Sequence, residues 1–307
     1  MGKGKKKVKG KKRDGKKTND DKAVGEGKHV WSVKEKNVWS VKEPTLEQHE
    51  RAIEAAVNRT EDPLKNWTRV QNEECPICML PFPHESNDTK YCYTCGTTVC
   101  KGCMISAGIV HRKDGGDIKG AMDNFLTCPY CRSNNELYDD KATLEKLMKQ
   151  ANTGNGEALF RVGTHYFDGG MGLKQDKAEG LKWYHRGVEA GSGKAALFLG
   201  KCYNEGDGVD KDEEIALEYF QKAAELGYVP AFNLIGAILM NKGFIEEGML
   251  NYRKAAICGM SDDWLFNALR DGFEDGFITK DEYAYALREH QKACNEMKSD
   301  AREAWLR

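Results

Sequence analysis

The feature that most constrains this chain is a run of eight cysteines between positions 75 and 131. They form four pairs, and two residues separate the partners of each pair. Such a gap lets one tight turn aim two thiolates at a single metal ion, and two such turns complete a closed tetrahedral site. The spacing therefore predicts two structural zinc ions, with Cys75, Cys78, Cys92, Cys95, Cys100, Cys103, Cys128 and Cys131 as the ligands.

A disulfide framework is the alternative use of so many cysteines. It requires an oxidising compartment, and the sequence shows no pattern typical of a secretory signal peptide. No apolar run approaches the length of a membrane span. We therefore expect a cytoplasmic or nuclear protein. Cys202, Cys258 and Cys294 fall singly in predicted helices, where we interpret them as small apolar residues rather than nucleophiles.

The charge is unevenly distributed. The first 17 residues contain ten Lys or Arg and one acidic residue, so the net charge of −1 leaves −10 on the remainder. We expect residues 1–28 to be disordered and to serve as a nuclear-import signal, or to be a solvated tail only. Nucleic acid is a poor candidate partner, because a nucleic-acid-binding face should be basic and the chain beyond the tail has a net charge of −10.

The motif VWSVKE occurs twice, starting at Val30 and at Val38. Its two Trp residues suggest either a tandem docking motif or a segment that packs on its own chain. We assign residues 1–44 to this tail and residues 45–71 to a helical linker. Its helix should begin with a capping box formed by Thr45 and Gln48. Its apolar face should contain Leu46, His49, Ile53 and Val57.

The complete cysteine spacing, over residues 72–135, resembles an all-cysteine RING finger. The sequence ECPIC starting at Glu74 and the sequence CPYCR ending at Arg132 carry the resemblance. Thr97 stands where a RING usually has histidine, and the 24-residue interval before Cys128 is unusually long. Other cross-braced or treble-clef zinc modules remain alternatives, as do His84 or His111 in place of Cys92. The resemblance implies that one zinc is held by Cys75, Cys78, Cys100 and Cys103, and the other by Cys92, Cys95, Cys128 and Cys131.

The RING resemblance also implies an activity and its partners. Most RING fingers bind a ubiquitin-conjugating enzyme charged with ubiquitin and hold the thioester in a reactive pose, which is catalysis by positioning. By this resemblance Ile77 and Pro129 contact the conjugating enzyme. Arg132 is the candidate catalytic residue, a cation that bridges enzyme and ubiquitin. The alternatives are that Ile77 and Pro129 only shape the zinc-binding turns and that Arg132 is a surface charge.

A different pattern follows the cysteines. Gly163, Gly200 and Gly236 recur at intervals of 37 and 36 residues, each at the end of a short apolar run. A second helix should follow each run and stop at a glycine in the left-handed conformation. These helices are predicted near 177–190, 212–226 and 245–258, and their stop residues are Gly191, Gly227 and Gly259. Such periods indicate a stacked helical solenoid.

The residues between 143 and 260 resemble Sel-one-like repeats, relatives of the tetratricopeptide repeat. The second repeat matches best, at Gly200, Tyr203, Gly206, Gly208, Ala216, Tyr219, Ala223 and Gly227. The resemblance implies a concave surface that binds a substrate or scaffold protein. Residues 261–307 should be capping helices, with a second capping box formed by Thr279 and Glu282.

The sequence thus predicts a multi-domain chain. A disordered basic N-terminus precedes a small α+β RING zinc finger with two zinc ions, and an all-α helical-repeat solenoid follows. The expected function is a RING-type ubiquitin ligase whose repeats bind the substrate protein. The alternative is a non-catalytic zinc-finger and repeat scaffold for protein–protein interaction.

Overall fold

A computed structural model describes residues 45–59, 61–70, 73–82, 89–104, 128–133 and 139–298. The predicted basic tail, both Trp motifs, His84 and His111 lie outside these residues. Residues 73–82, 89–104 and 128–133 contain the eight paired cysteines and form a small unit that we call the cysteine module. The remaining described residues form the helical body. None of the described helices is both long and apolar enough to span a bilayer.

The described chain contains one hairpin and a series of helices of 12 to 17 residues. Strands β1 (Thr89–Tyr91) and β2 (Thr98–Cys100) pair antiparallel, with Lys90 opposite Val99. The helices are α1 (Leu46–Asn58), α2 (Asp140–Asn152), α3 (Gly156–Asp168), α4 (Lys177–Glu189), α5 (Gly193–Glu205), α6 (Glu213–Glu225), α7 (Pro230–Asn241), α8 (Ile245–Ile257), α9 (Asp263–Glu274) and α10 (Lys280–Glu296).

The periodic glycines hold the two helices of each repeat together. A Cβ added to Gly163 would lie 2.6 Å from the Tyr184 ring. The matching distance is 2.6 Å from Gly200 to the Phe220 ring and 2.5 Å from Gly236 to the Tyr252 ring. Each ring is buried on the second helix of its own pair. The pairs α3–α4, α5–α6 and α7–α8 therefore close only because a glycine faces an aromatic ring.

The helix ends confirm the predicted stop signals. Gly191, Gly227 and Gly259 follow α4, α6 and α8 with φ of +81°, +80° and +91°. That left-handed conformation suits glycine, which has no Cβ to clash. The predicted second helices match α4, α6 and α8 to within one residue at each end. Both predicted capping boxes, at Thr45 and at Thr279, are also present.

Helix α1 packs against the helical body through Ile53, which belongs to the predicted apolar face, and through Ala52, which does not. The side chains of His49 and Val57 lie outside the described residues. Ala52 and Ala56 are buried, whereas the side chain of Leu46 is 74% exposed. The prediction for Leu46 was therefore wrong. Small alanine side chains let α1 approach α8 closely, and this contact decides the orientation of α1.

Residues 59–70 continue from α1 across the last repeat. Leu64 is buried with Ile257 and Ala286, and Trp67 meets Phe232 edge to face with ring centroids 6.0 Å apart. The segment that we predicted as a helical linker is therefore an integral part of the helical body.

A buried ion cluster joins this segment to α8 and α10. Arg253 is 1% exposed; its Nη1 donates to Glu282 Oε1 at 3.0 Å, and its Nη2 donates to Asp62. Arg59 also contacts Glu282. Burial alone would raise the pKa of Glu282, but the Thr279 backbone amide and the two arginines outweigh it and lower that pKa. The cluster connects residues about 190 to 220 positions apart in sequence.

Candidate metal centre

Three of the four cysteine pairs lie on the same kind of turn. In each, the residue after the second cysteine has a positive φ and donates its amide to the carbonyl of the first cysteine, at 2.8 to 2.9 Å. The amide of that first cysteine donates to a carbonyl five residues ahead. The residues with positive φ are Met79 (55°), Gly96 (72°) and Arg132 (58°).

The fourth pair is presented by β2 and the helical turn that follows it. Cys100 ends β2, and Cys103 lies in the turn at 101–104. The Cys100 amide donates to Cys75 Sγ, and the Cys103 amide donates to Cys100 Sγ, both at 3.4 Å. These bonds orient sulfurs and balance negative charge on them.

The eight cysteines gather into two groups of four. Within each group, all the sulfur atoms lie within 4.8 Å of one another. The groups interleave along the chain, in the pairing that the RING resemblance implied. One contains Cys75, Cys78, Cys100 and Cys103, and the other contains Cys92, Cys95, Cys128 and Cys131.

The sulfur spacing allows a direct test of fit to a metal. Sγ–Sγ distances are 3.8 Å for Cys78–Cys100, 3.7 Å for Cys92–Cys131 and 3.9 Å for Cys95–Cys128. A tetrahedron with Zn–S bonds of about 2.3 Å has an edge of about 3.8 Å. A disulfide needs about 2.05 Å, and all eight thiols are free. The donor set therefore fits a closed, four-coordinate zinc, which leaves no position open for chemistry.

The acidities of the thiols differ within each group. Burial raises the pKa of Cys103 and of Cys128, because a thiolate is poorly solvated there. Hydrogen bonding with Cys100 lowers the pKa of Cys75. A bound dication favours the thiolate form of every ligand, so it would remove this difference in acidity among the thiols.

The second cysteine group is attached to the start of the solenoid. Asn155 caps α3 by accepting the Ala158 amide at 2.9 Å, and its Nδ2 donates to the Gly96 carbonyl at 2.9 Å. Gln150 Nε2 donates to the Thr94 carbonyl at 2.8 Å. The Cys92–Cys95 turn is thus hydrogen-bonded to α2 and to the cap of α3.

Apolar packing reinforces this attachment. Tyr91, the residue before Cys92, is 3% exposed and shares a core with Leu147, Leu159 and Trp183. The Arg161 guanidinium lies 4.9 Å from the Tyr91 ring centroid. The cysteine module therefore covers the first helix pair, as a capping repeat does in other solenoids.

A groove separates the two parts beyond this contact. It has a volume of about 630 Å³, within the usual range for binding sites. The cysteine-module side includes Glu73, Glu74 and Phe82, and the helical side is built from the starts of α3, α5 and α7. Within the described part of the chain, Glu73 and Glu74 have no ion-pair partner.

The residues proposed to contact a conjugating enzyme lie at the surface of the cysteine module. Ile77 is 43% exposed, Arg132 is exposed and Pro129 is half-buried. Two further apolar side chains on the same turns are exposed, Met79 at 66% and Tyr130 at 62%. The sequence reasoning missed Tyr91, Gln150 and Asn155, because nothing in the cysteine pattern shows what the module packs against.

The fold and the paired helices define a solenoid of helical repeats. The family model described as "Sel1 repeat" matches residues 156–192 and 193–228, which are the α3–α4 and α5–α6 pairs with their turns. The chain therefore contains Sel1 repeats, as predicted. The α7–α8 pair has the same glycine–aromatic contact but lies beyond this match.

Curated relatives match over part of the chain. The chitin synthase regulator SKT5 of Saccharomyces cerevisiae is 33% identical over 108 residues, which cover 33% of this chain and 16% of SKT5. Chitin synthase regulatory factor 1 of Schizosaccharomyces pombe is 32% identical over 110 residues, 33% of this chain and 24% of that protein. HRD3A of Arabidopsis thaliana, an ERAD-associated E3 ubiquitin-protein ligase component, is 35% identical over 59 residues, 19% of this chain and 9% of HRD3A. The matches thus span less than a quarter of each of these relatives.

Two solved structures show similarity as well. A Sel1 repeat protein from Oxalobacter formigenes aligns with a TM-score of 0.38 and 28% identity, over 42% of this chain and 97% of that one. The protective antigen c5321 of uropathogenic Escherichia coli aligns with a TM-score of 0.44 and 25% identity, over 62% and 46%.

Proposed function

We propose that this protein is an interaction scaffold in which a two-zinc module caps a Sel1-repeat solenoid. The observation that carries the proposal is the joint core of Tyr91, Leu159 and Trp183, with Asn155 bonded to both parts. A flexibly tethered module would not need such a contact. The relatives named as chitin synthase regulators and as a ligase component also support a role in protein assemblies.

The groove between the two parts is the proposed partner-binding surface. Its volume of about 630 Å³ suits a short extended segment of another protein. Glu73 and Glu74 lie on one side, and neither carboxylate has an ion-pair partner among the described residues, which favours a partner segment carrying Lys or Arg. On the opposite side of the groove, the N-termini of α3, α5 and α7 present polar backbone groups.

Charge reversal in the groove tests this function. Crosslinking to the native wild-type protein, followed by quantitative mass spectrometry, should identify specific partners. The double variant Glu73→Lys/Glu74→Lys should abolish these crosslinks. Glu145→Lys/Glu218→Lys makes the same charge change at exposed positions outside the groove and should leave those crosslinks intact. If the groove variant retains the crosslinks as fully as the control variant does, the groove is excluded as the binding surface.

A ubiquitin ligase is the second candidate function. Exposure of Ile77 and Arg132 on two zinc-binding turns favours it, since both positions match the contacts implied by the RING resemblance. The zinc ions would hold these turns in place, and the module would act by positioning a charged conjugating enzyme. Wild-type protein should then accelerate ubiquitin discharge to lysine. No acceleration with any enzyme of a broad panel would leave the scaffold function alone.

A further inference from the structure

The groove between the cysteine module and the helical body has two walls of different character. On the module wall, Glu73 and Glu74 are exposed, and neither carboxylate has an ion-pair partner among the described residues. On the helical wall, the N-termini of α3 and α5 carry partial positive charge. Leu226 and Tyr228, both partly exposed, add apolar surface to that wall. A matching ligand therefore has a cation on one side, and an anion with apolar groups on the other.

The repeated motif VWSVKE has this arrangement when its backbone is extended. Neighbouring side chains of an extended segment point to opposite sides. In the first copy, residues 30–35, Lys34 then points to one side. Trp31, Val33 and Glu35 point to the other side. The alternation offers a cation to the module wall, and it offers an anion with two apolar groups to the helical wall.

The start of α1 lies about one helix length from the groove. The side chain of Gln48 lies against Gly243, which closely follows α7. Pro230, at the opposite end of α7, lines the groove. The 12 residues of α7 span about 18 Å. A segment before α1 must cross roughly this distance to enter the groove.

The length of chain before α1 favours the first copy of the motif over the second. Residues 36–44 separate Glu35 from Thr45 and can span about 30 Å when extended. Lys42 is three positions from Thr45, which allows it a reach of only about 10 Å. The Lys-Glu pair of the first copy can therefore enter the groove, whereas the identical pair of the second copy cannot.

We propose that residues 30–35 bind in the groove of their own chain, with Lys34 next to Glu73 and Glu74 and with Trp31 against the helical wall. The inference rests on the proposed function, because the same groove would bind the partner. The first copy then competes with the partner, which binds only after displacing it. A segment of the same chain has a high effective concentration at the groove, so modest contacts are enough to hold it there.

Carbodiimide crosslinking of the purified, zinc-loaded full-length chain tests the proposal, because this reagent joins a lysine amine to a carboxylate in contact with it. Lys34 should be linked to Glu73 or Glu74 at least about tenfold more often than Lys42, which has the same motif around it but too short a reach. In an equal mixture of isotope-labelled and unlabelled protein, both halves of each linked peptide should come from one chain.

Charge variants test the competition with the partner. Lys34→Glu should raise the yield of partner crosslinks about threefold, because like charges then repel the first copy from the module wall. Lys42→Glu makes the same change in the second copy and should leave that yield unchanged. An unchanged yield with Lys34→Glu would contradict the competition.

Three results would overturn the proposed occupant. They are equal linking of Lys34 and Lys42, links between two different chains, and links from the lysines of residues 1–17 in place of Lys34. The proposed function can survive this failure. If Lys34 is not linked but Glu73→Lys/Glu74→Lys still removes the partner crosslinks, the groove binds the partner and only the occupant is wrong.

Discussion

At the scale of single residues, the three similar turns of the cysteine module use different side chains in the same conformation. Gly96 occupies the left-handed position in one turn, and Arg132 occupies it in another. A left-handed conformation costs a non-glycine residue about 1–2 kcal/mol relative to glycine. Arg132 therefore carries a backbone strain that Gly96 avoids, and its side chain remains exposed.

Substitutions at these two left-handed positions should have opposite effects on the free energy of unfolding. Arg132→Gly should leave the free energy of unfolding unchanged or raise it by about 1 kcal/mol. Gly96→Ala should lower it by about 1–2 kcal/mol, because its Cβ would lie 2.6 Å from Gln150 Oε1 at a φ of +72°. Urea unfolding measures both. If the protein is a ligase, Arg132→Gly should also slow ubiquitin discharge while conjugating-enzyme binding persists.

Trp183 provides a second residue-scale prediction. It is 7% exposed and stacks on Tyr166, with ring centroids 6.4 Å apart. Trp183→Ala should lower the free energy of unfolding by about 3–5 kcal/mol. Trp183→Phe should cost much less, because the buried Trp183 Nε1 has no hydrogen-bond partner to lose among the residues that the structure describes. Equal losses in denaturant unfolding would contradict the role assigned to the ring.

At the scale of elements, Asn155 has two separable roles. Its Oδ1 caps α3, and its Nδ2 binds the Gly96 carbonyl of the cysteine module. Asn155→Asp should keep the cap but lose the second bond, whereas Asn155→Ala should lose both. We expect Asn155→Asp to cost about 1 kcal/mol and Asn155→Ala about 2 kcal/mol. Equal stability of both variants and wild type would show that the contact is absent in solution.

The same scale shows how far the sequence could predict the structure. The 37- and 36-residue intervals predicted three helix pairs, because each glycine recurs where an aromatic ring must fit. Cysteine spacing predicted eight metal ligands, and the RING resemblance implied how they divide into the two sulfur groups. Neither pattern revealed the partners of α1 or of Tyr91. These contacts join distant segments, and local periodicity carries no information about which surfaces meet.

At the scale of the whole molecule, the buried ion cluster makes stability depend on pH. The folded state lowers the pKa of Glu282 below its ordinary value of 4.5, so this stabilisation is fully present above pH 4.5. It is lost as the pH falls through the folded-state pKa. Glu282→Gln keeps a side chain suited to the capping box but removes the charge next to Arg253.

We expect Glu282→Gln to lower the free energy of unfolding by about 3 kcal/mol at pH 7. The difference from wild type should shrink as the pH falls from 4.5 through the folded-state pKa, because Glu282 is protonated first in the unfolded and then in the folded wild-type protein. Urea unfolding across this range measures both values. A difference that stays constant down to pH 3 would mean that the charge of Glu282 does not stabilise the fold.

If the cysteine module holds zinc as we propose, metal removal should affect more than that module. Because Tyr91 and Gly96 belong to the core and cap of the first helix pair, a chelator should lower the melting temperature of the helical circular-dichroism signal. Added zinc should restore it. The same treatment of a variant carrying Tyr91→Ala and Asn155→Asp should shift that temperature less, because the connection is already weakened.

The packing of residues 45–70 has a consequence for how the chain folds during its synthesis. Helix pairs of the solenoid make contacts between neighbours, so each can form soon after it leaves the ribosome. Helix α1 and the segment after it leave first, yet Arg59 and Leu64 find Glu282 and Tyr285 only 223 and 221 residues later. Closing so large a loop is slow compared with local helix pairing. The earliest part of the described chain to be made is thus among the last to reach its place, and until then the apolar surface around Phe232 and Ile257 stays open to chaperones.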